Sequence, residues 1–205
     1  QIIAYLHKKS FFIQSEDVSF FERQKEDLLS LIQIRKDEFE RMMKEFEFKK
    51  YKAPSGWMLV LNYYRIIEFL NQSRYYLSRY FESVKEKKEI RLSLIYHHFD
   101  LNHIFVDQQK LISIDQMKIN YCIYDLVELF QNQKDLYECV ALFDGYLEEI
   151  DLYQEEKLLL LCLLSIVPHV SLNEDENNNI QEMAKLICYM DGIVKIFKKI
   201  EIDEV

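Results

Sequence analysis

Apolar residues recur at helical spacing along the first long stretch of the chain. From Asp17 to about Phe48 they follow one another at steps of three, four and seven, with charged residues between them. This spacing places them on one face of an amphipathic helix. The stripe consists of Phe21, Leu28, Ile32, Phe39, Met43 and Phe46. We therefore predict a core-facing helix over 17–48, with a short coiled coil as the alternative that the heptad-like steps leave open.

A short break, KAPSG at 52–56, separates this stretch from a second one with the same character. Residues 57–84 again have helical spacing and carry many aromatic side chains. Aromatic side chains on a helix can pack in a core or stack on nucleic-acid bases. The acidic balance of the chain favours packing, so we predict a second long helix over 57–84.

The pattern changes to short β-rich runs between residues 92 and 116. The runs are LSLIY (92–96), HIFV (103–106) and KLISI (110–114), and the letters DQQ between the last two are typical of a turn. Short apolar runs around a polar turn predict a hairpin. We expect a small β-hairpin at about 103–114.

Helical spacing returns in the remaining chain, and it is also present at the start. The predicted C-terminal helices are Ile123–Gln131, Leu136–Ile150, Gln154–Ile166 and Asn179–Ile200. Residues 1–8 place Ile2, Ile3 and Leu6 on one side of a short helix. The polar run NEDENNN (173–179) predicts a loop in which Asp175 or an asparagine caps the last helix.

Composition agrees with a mainly helical protein. The 205 residues fit one domain, and only 3 Gly and 2 Pro are available to form turns. We predict a single, mainly α domain over 1–205, with two long N-terminal helices, the hairpin region at 92–116 and C-terminal helices over 123–200.

Charge and hydropathy limit the partners that the chain can have. A formal net charge of −9 argues against binding nucleic-acid phosphates. The apolar run KLLLLCLLSIVPHV is shorter than the roughly 20 residues that span a bilayer, so we predict a buried helix there. No signal peptide is evident, and we expect a cytoplasmic protein; an opening residue other than Met indicates that Gln1 is not a natural start.

The four cysteines, Cys122, Cys139, Cys162 and Cys188, are widely spaced and stand in apolar surroundings. Their spacing matches no zinc-binding pattern. We predict buried, reduced thiols.

One stretch is rich in residues that could take part in catalysis or metal binding. It is YHHFDLNHIFVDQQKLISIDQ, residues 96–116. His97, His98 and His103 together with Asp100 could bind zinc or iron. A strand argues against such a cluster, because it would point His97 and His98 to opposite faces. His98 as a structural residue that bonds to the loop backbone is the alternative.

The same stretch resembles the core of the aminoglycoside phosphotransferase and choline kinase-like group, and is most similar to the spore-coat-associated CotS-type proteins of bacteria. The family pattern is His-Gly-Asp-Leu, an Asn-Ile-Leu strand, Ile-Asp-Phe and then Tyr-Asp-Leu-Ala. The matching letters are HFDL (98–101), IFV (104–106), IDQ (114–116) and YDLV (124–127). IAYLHKKSFFI (3–13) resembles the short helix that opens the helical lobe in this family, and LLLLCLLSIVPHV resembles its C-terminal apolar helix.

The resemblance implies the helical C-terminal lobe of a protein-kinase-like fold and a role for each matched residue. Asp100 corresponds to the base that accepts the substrate hydroxyl proton, with His98 supporting its loop, and Asp115 corresponds to a Mg²⁺ ligand. Asp125 corresponds to the aspartate that braces the catalytic loop. Its position at the start of a helix also suggests a charge that interacts with the helix dipole.

The chain departs from the family pattern at several of these positions. Phe99 replaces the glycine that lets the loop turn tightly. The metal-binding asparagine is absent, and either His103 or Asn102 would have to take its place, although Mg²⁺ prefers oxygen ligands. Gln116 replaces an aromatic residue, and no Gly-rich loop or partner lysine for ATP is present.

These departures lead to two expectations about function. The first is a degenerate, kinase-like protein or fragment that is non-catalytic on its own and acts through protein contacts, in a spore-coat setting as the resemblance implies. For this chain we expect no cofactor. The second is the C-terminal lobe of an active small-molecule kinase, which would use ATP and Mg²⁺ and whose N-terminal lobe lies outside this chain. A helical adaptor unrelated to kinases is a third reading.

Overall fold

A computed structural model describes residues 2–50, 53–97, 104–105, 110–111, 114–132 and 136–200. For 104–105, 110–111, 114, 132 and 136–139 it describes the backbone alone. In chain order the elements are α1 (Ile2–Ser10), β1 (Phe12–Ser15), α2 (Val18–Phe48), α3 (Pro54–Lys87), β2 (Glu89–Ile95), β3 (Ile104–Phe105), β4 (Lys110–Leu111), β5 (Lys118–Asn120), α4 (Ile123–Asn132), α5 (Leu136–Leu147), α6 (Gln154–Ser165) and α7 (Glu176–Phe197). The protein is mainly helical, as predicted from the sequence.

The two long N-terminal helices pack side by side in opposite directions. Asp17 caps α2 by accepting a hydrogen bond from the backbone N–H of Phe20 at 2.8 Å. The predicted apolar stripe of α2 is buried except for Met43, which is half-buried. Pro54 stands in the first turn of α3, where its missing N–H costs nothing. The prediction of a core-facing α2 is confirmed, while α3 begins and ends about three residues outside its predicted range.

A three-stranded antiparallel sheet in the order β1–β2–β5 was not predicted. The resemblance assigned residues 3–13 to a helix, but α1 ends at Ser10 and the chain then enters β1. All four side chains of β1 are exposed, so the strand shows no apolar–polar alternation that sequence reasoning could use. Backbone pairing to β2, with Phe12 opposite Leu92, is what makes this segment a strand.

The predicted hairpin is present as a second, separate pair of strands. β3 and β4 pair antiparallel, with Ile104 opposite Leu111 and Phe105 opposite Lys110. The turn that was predicted between them lies outside the described residues. The pairing of 104–105 with 110–111 therefore confirms the predicted pair of strands. In the sequence, this pair lies between β2 and β5, which also pair with each other.

The C-terminal helices complete the core. Every residue of α6 except Gln154 and Lys157 is buried, and Ser73 of α3 donates a hydrogen bond to the carbonyl of Cys162 at 2.9 Å. Asp175 caps α7, as predicted, by accepting from the N–H of Asn177. Within the described parts of the chain, no helix combines the length and apolar character needed to cross a bilayer.

The cysteine prediction is wrong for one residue. Cys122 and Cys162 are buried, and burial raises the pKa of each thiol to about 12. Cys188 is exposed, because its position on α7 points away from the face that packs on the core. The side chain of Cys139 lies outside the described residues.

Candidate functional site

The described residues contain two of the predicted site residues. Asp115 is exposed in a single 3-10 turn, Ile114–Gln116, just before β5. Asp125 is fully buried in the first turn of α4. The remaining predicted site residues lie outside the described part of the chain: His98, Asp100, Asn102 and His103. The roles assigned to them stay predictions.

Strand pairing encloses the region that carries these residues from both sides. Ile95, the last residue of β2, is opposite Lys118, the first residue of β5. Ile104 is opposite Leu111 in the inner pair. The segments 96–103 and 112–117 therefore each join the outer pair of strands to the inner pair. Asp115 lies in the second of these segments, three residues before Lys118.

Asp125 holds the first of these segments where it leaves β2. Its Oδ2 accepts a hydrogen bond from the N–H of Tyr96 at 2.7 Å, and its Oδ1 accepts from the N–H of His97 at 3.0 Å. Two backbone donors at the end of a strand are thus satisfied by one carboxylate. Because Asp125 has no exposed surface, these bonds form in an environment where an unmade one would be costly.

A third donor to the same carboxylate comes from the other end of the chain. His7 of α1 lies with Nε2 3.0 Å from Asp125 Oδ2 and with Nδ1 2.8 Å from the hydroxyl of Tyr146 in α5. An ionised carboxylate can only accept, so Nε2 carries the proton that points at Asp125. In the neutral imidazole, Nδ1 then accepts from the Tyr146 hydroxyl. We call His7, Tyr96, His97, Asp125 and Tyr146 the Asp125 cluster.

The backbone at His97 adopts a conformation that is uncommon for a residue with a side chain. Its φ is 59°, in the left-handed region, directly after the strand ends. The imidazole lies 3.1 Å from Oε1 of Glu128 on α4 and 3.2 Å from Nζ of Lys118 on β5. The hydrogen bond from its N–H to Asp125 helps to hold this conformation.

This geometry corrects the argument about a histidine metal cluster. That argument assumed that the strand continues through the histidines, whereas β2 ends at Ile95 and the chain bends at His97. Strand alternation therefore says nothing about the directions of His97 and His98. Among the residues with described positions, no three His, Cys, Asp or Glu side chains are grouped so that they could hold a metal ion.

Sequence reasoning missed His7 and Tyr146. The signal available for His7 was its spacing, because Ile3, Ala4 and His7 lie on one buried face of α1. A histidine on an apolar face indicates a buried polar partner, but it does not say which of the many carboxylates in the chain provides it. The partner is 118 positions away in the sequence, so only the tertiary structure identifies it.

The Asp125 cluster is built to position backbone rather than to bind a molecule. His7 and Asp125 have no exposed surface and Tyr146 is 4 % exposed, so a substrate cannot reach them. Burial, with the neighbouring Cys122 thiol as a second cause, also raises the pKa of the Tyr146 hydroxyl well above its usual range, so the group acts as a neutral hydrogen-bond donor. What the cluster controls is the path of the chain at Tyr96 and His97.

An open groove of about 930 Å³ lies elsewhere, where α2 ends, α3 begins and the 169–176 segment passes. Its walls carry charges of both signs, including Arg41, Lys49, Glu45 and Glu174. This mixture does not select a ligand class.

The chain matches no known family model, and neither a curated protein nor a solved structure is significantly similar to it.

Proposed function

We propose that this protein is a degenerate, kinase-like helical lobe of the phosphotransferase type, non-catalytic on its own and acting through contacts with other proteins. The observation that carries the proposal is the bracing of the chain at Tyr96 and His97 by the buried carboxylate of Asp125. The segment held in this way leads directly to HFDL (98–101), the letters that match the catalytic loop of the resembled family.

The strand pairing supports the same assignment. Strands β3 and β4 pair with each other, and so do β2 and β5. The segment before β3 and the segment after β4 therefore both run between the same two pairs of strands. We propose that Asp100 and Asp115 face one cleft on this account. Phosphoryl transfer depends mainly on such positioning and on charge neutralisation around the phosphates.

The proposed loss of activity follows from what the sequence lacks. A metal-binding asparagine and a Gly-rich loop are missing, and losing even an outer partner of a metal site typically costs about 10- to 100-fold in affinity or activity. Removing the groups that hold the phosphates also removes the orientation on which the reaction depends. A spore-coat location rests on the resemblance alone.

Calorimetry with ATP and Mg²⁺ tests this function. We expect no binding tighter than about 10 μM, which corresponds to roughly −7 kcal/mol. The matched variants are Asp115→Asn and Asp27→Asn, since Asp27 is an exposed carboxylate on α2 that matches no residue of the family pattern. Binding tighter than that limit, lost in Asp115→Asn and kept in Asp27→Asn, would show a working nucleotide site and overturn the proposal of a non-catalytic protein.

One observation favours the active alternative, in which this lobe works with a nucleotide-binding lobe outside these residues. The strands at the edges of the sheet expose large apolar side chains: Phe12 is 40 %, Ile13 53 % and Ile119 59 % exposed. Phe12 and Ile119 lie on the same face of the sheet, since their partners in β2 are Leu92 and Leu94. Exposed apolar side chains on one face are often covered by another part of a protein. The reading frame before Gln1 decides this alternative, because it either encodes a β-rich lobe with a phosphate-binding lysine or does not.

A further inference from the structure

We propose that His7 is a positioning residue that sets the backbone conformation at Tyr96 and His97, the two residues that follow β2. It does so through Asp125, which bonds to the backbone N–H groups of Tyr96 and His97. The inference rests on the proposed function in one respect, namely that the residues after His97 belong to a catalytic-type loop.

The first step is the orientation of the carboxylate. Oδ2 of Asp125 bonds to Tyr96 N–H and His7 Nε2 together, while Oδ1 bonds to His97 N–H. A carboxylate that receives donors from three directions has one orientation that satisfies all of them. Removing the His7 donor leaves Oδ2 with one bond fewer in a site closed to water, so only the two backbone bonds remain to fix the orientation of the carboxylate.

The second step is the orientation of His7 itself. The Tyr146 hydroxyl lies 2.8 Å from Nδ1, and the two rings meet edge to face with centroids 5.7 Å apart. Both contacts select the tautomer and the ring angle that direct Nε2–H at Asp125. Tyr146 therefore supports Tyr96 and His97 indirectly: it orients His7, and His7 orients Asp125.

The third step is the attachment of α1 to the strand that leads into the loop. Ser10, one turn after His7, accepts a hydrogen bond from the N–H of Leu94 at 3.0 Å. Helix α1 thus holds β2 near its end and, through His7 and Asp125, holds the two residues that follow it. The left-handed backbone at His97 is unfavourable for a residue with a side chain, so surrounding contacts must hold it. This arrangement supplies those contacts.

Hydrogen exchange of individual backbone amides, followed by NMR, tests the proposal. We expect His7→Leu to speed exchange at Tyr96 and His97 by about tenfold or more, because hydrogen bonds to charged groups contribute enough to shift a local opening equilibrium by that factor. Amides in the middle of α3 and α6 report global unfolding and should change much less. His7→Gln should restore protection, since its side-chain amide can donate to Asp125 and accept from Tyr146.

Tyr146→Phe gives a second measurement that keeps His7 and its packing. We expect a smaller, local rise of about threefold or more at the same two amides. If His7→Leu does not fold, this variant and His7→Gln decide the question.

Unchanged exchange at Tyr96 and His97 in a folded variant would overturn the proposal. An equal rise at all amides, or a failure of His7→Gln to restore protection, would also overturn it by showing a packing role only. None of these exchange rates depends on ATP binding. The inference about His7 can therefore fail while the proposed function holds, and the reverse is also true.

Discussion

Gly56 shows at the scale of a single residue why the two long helices can approach each other closely. A β-carbon at this position would lie far inside van der Waals contact with the ring atoms Cδ1 and Cε1 of Phe46. Phe46 is 6 % exposed and belongs to the buried stripe of α2, so its ring has little room to move. The absence of a side chain at Gly56 is therefore a packing requirement of the α2–α3 contact.

Gly56→Ala should lower the free energy of unfolding by about 1–3 kcal/mol, the usual cost of overpacking, although alanine favours a helix. Gly145 in α5 provides the matched control, because a β-carbon there meets nothing within 4 Å. Gly145→Ala should be neutral or stabilise by up to about 1 kcal/mol. Urea unfolding of both variants measures the difference, and equal stabilities would contradict the close approach at Gly56.

At the scale of elements, the start of α3 is capped by a residue of another helix. Ala53 at the N-cap has no side chain that could bond to the first turn. Glu176, the first residue of α7, accepts from the N–H of Ser55 at 2.8 Å and from its hydroxyl at 3.0 Å. The bond from the Ser55 N–H lowers the pKa of the Glu176 carboxyl below its ordinary value. One carboxylate thus joins the beginnings of two helices.

The sign of the resulting pH dependence follows from that direction. A carboxyl group whose pKa is lower in the folded protein contributes its full stabilisation above the ordinary value of 4.5 and loses it as pH falls through the folded pKa. Glu176→Gln should therefore lower the free energy of unfolding by about 0.5–1 kcal/mol near neutral pH, the size of an exposed helix cap. The gap from the wild type should close as the pH is lowered below 4.5.

Urea unfolding at a series of pH values measures this gap. Glu174→Gln is the control, because Glu174 is exposed and lines the same groove without a hydrogen bond or ion pair to the described residues. A gap that does not change with pH would mean that the carboxylate of Glu176 is not the cap.

At the scale of the whole molecule, Arg91 joins the sheet to the helical body. Its guanidinium bonds to both oxygens of Glu156 in the first turn of α6 and to the carbonyl of Asp151. It also lies between two aromatic rings, 4.3 Å from the centroid of Phe11 and 3.9 Å from that of Tyr153. Glu156 is 1 % exposed, so this ion pair is largely shielded from water.

Arg91→Met should lower the free energy of unfolding by about 3–5 kcal/mol, because it leaves the Glu156 carboxylate buried without its partner. Lys185→Met removes one half of an exposed ion pair with Glu182 and should change the stability by less than about 0.5 kcal/mol. Chemical denaturation compares the two variants. Similar small losses would show that water reaches Glu156 and replaces the guanidinium.

Elements whose stability is local could be predicted from the order of the residues alone. The stripe from Phe21 to Phe46, the cap at Asp175 and the apolar run of α6 predicted features that the structure contains, because periodic burial and capping depend on residues that are close in the sequence. The paired strands at 104–105 and 110–111 were predicted for the same reason. The roles of Asp100 and Asp115 were also proposed from short sequence motifs, and they stay predictions.

Contacts between residues that are distant in the sequence followed from the packing of the elements and could not be predicted. β1 became a strand because β2 offered it a partner, although its own side chains are all exposed. Cys188 was expected inside and lies outside, because helix spacing alone does not say which face of α7 meets the core. His7 reaches Asp125 across 118 positions. A buried donor must find an acceptor, but the sequence does not state where that acceptor lies. The packing of α1 on β2 brings His7 to Asp125 at the start of α4.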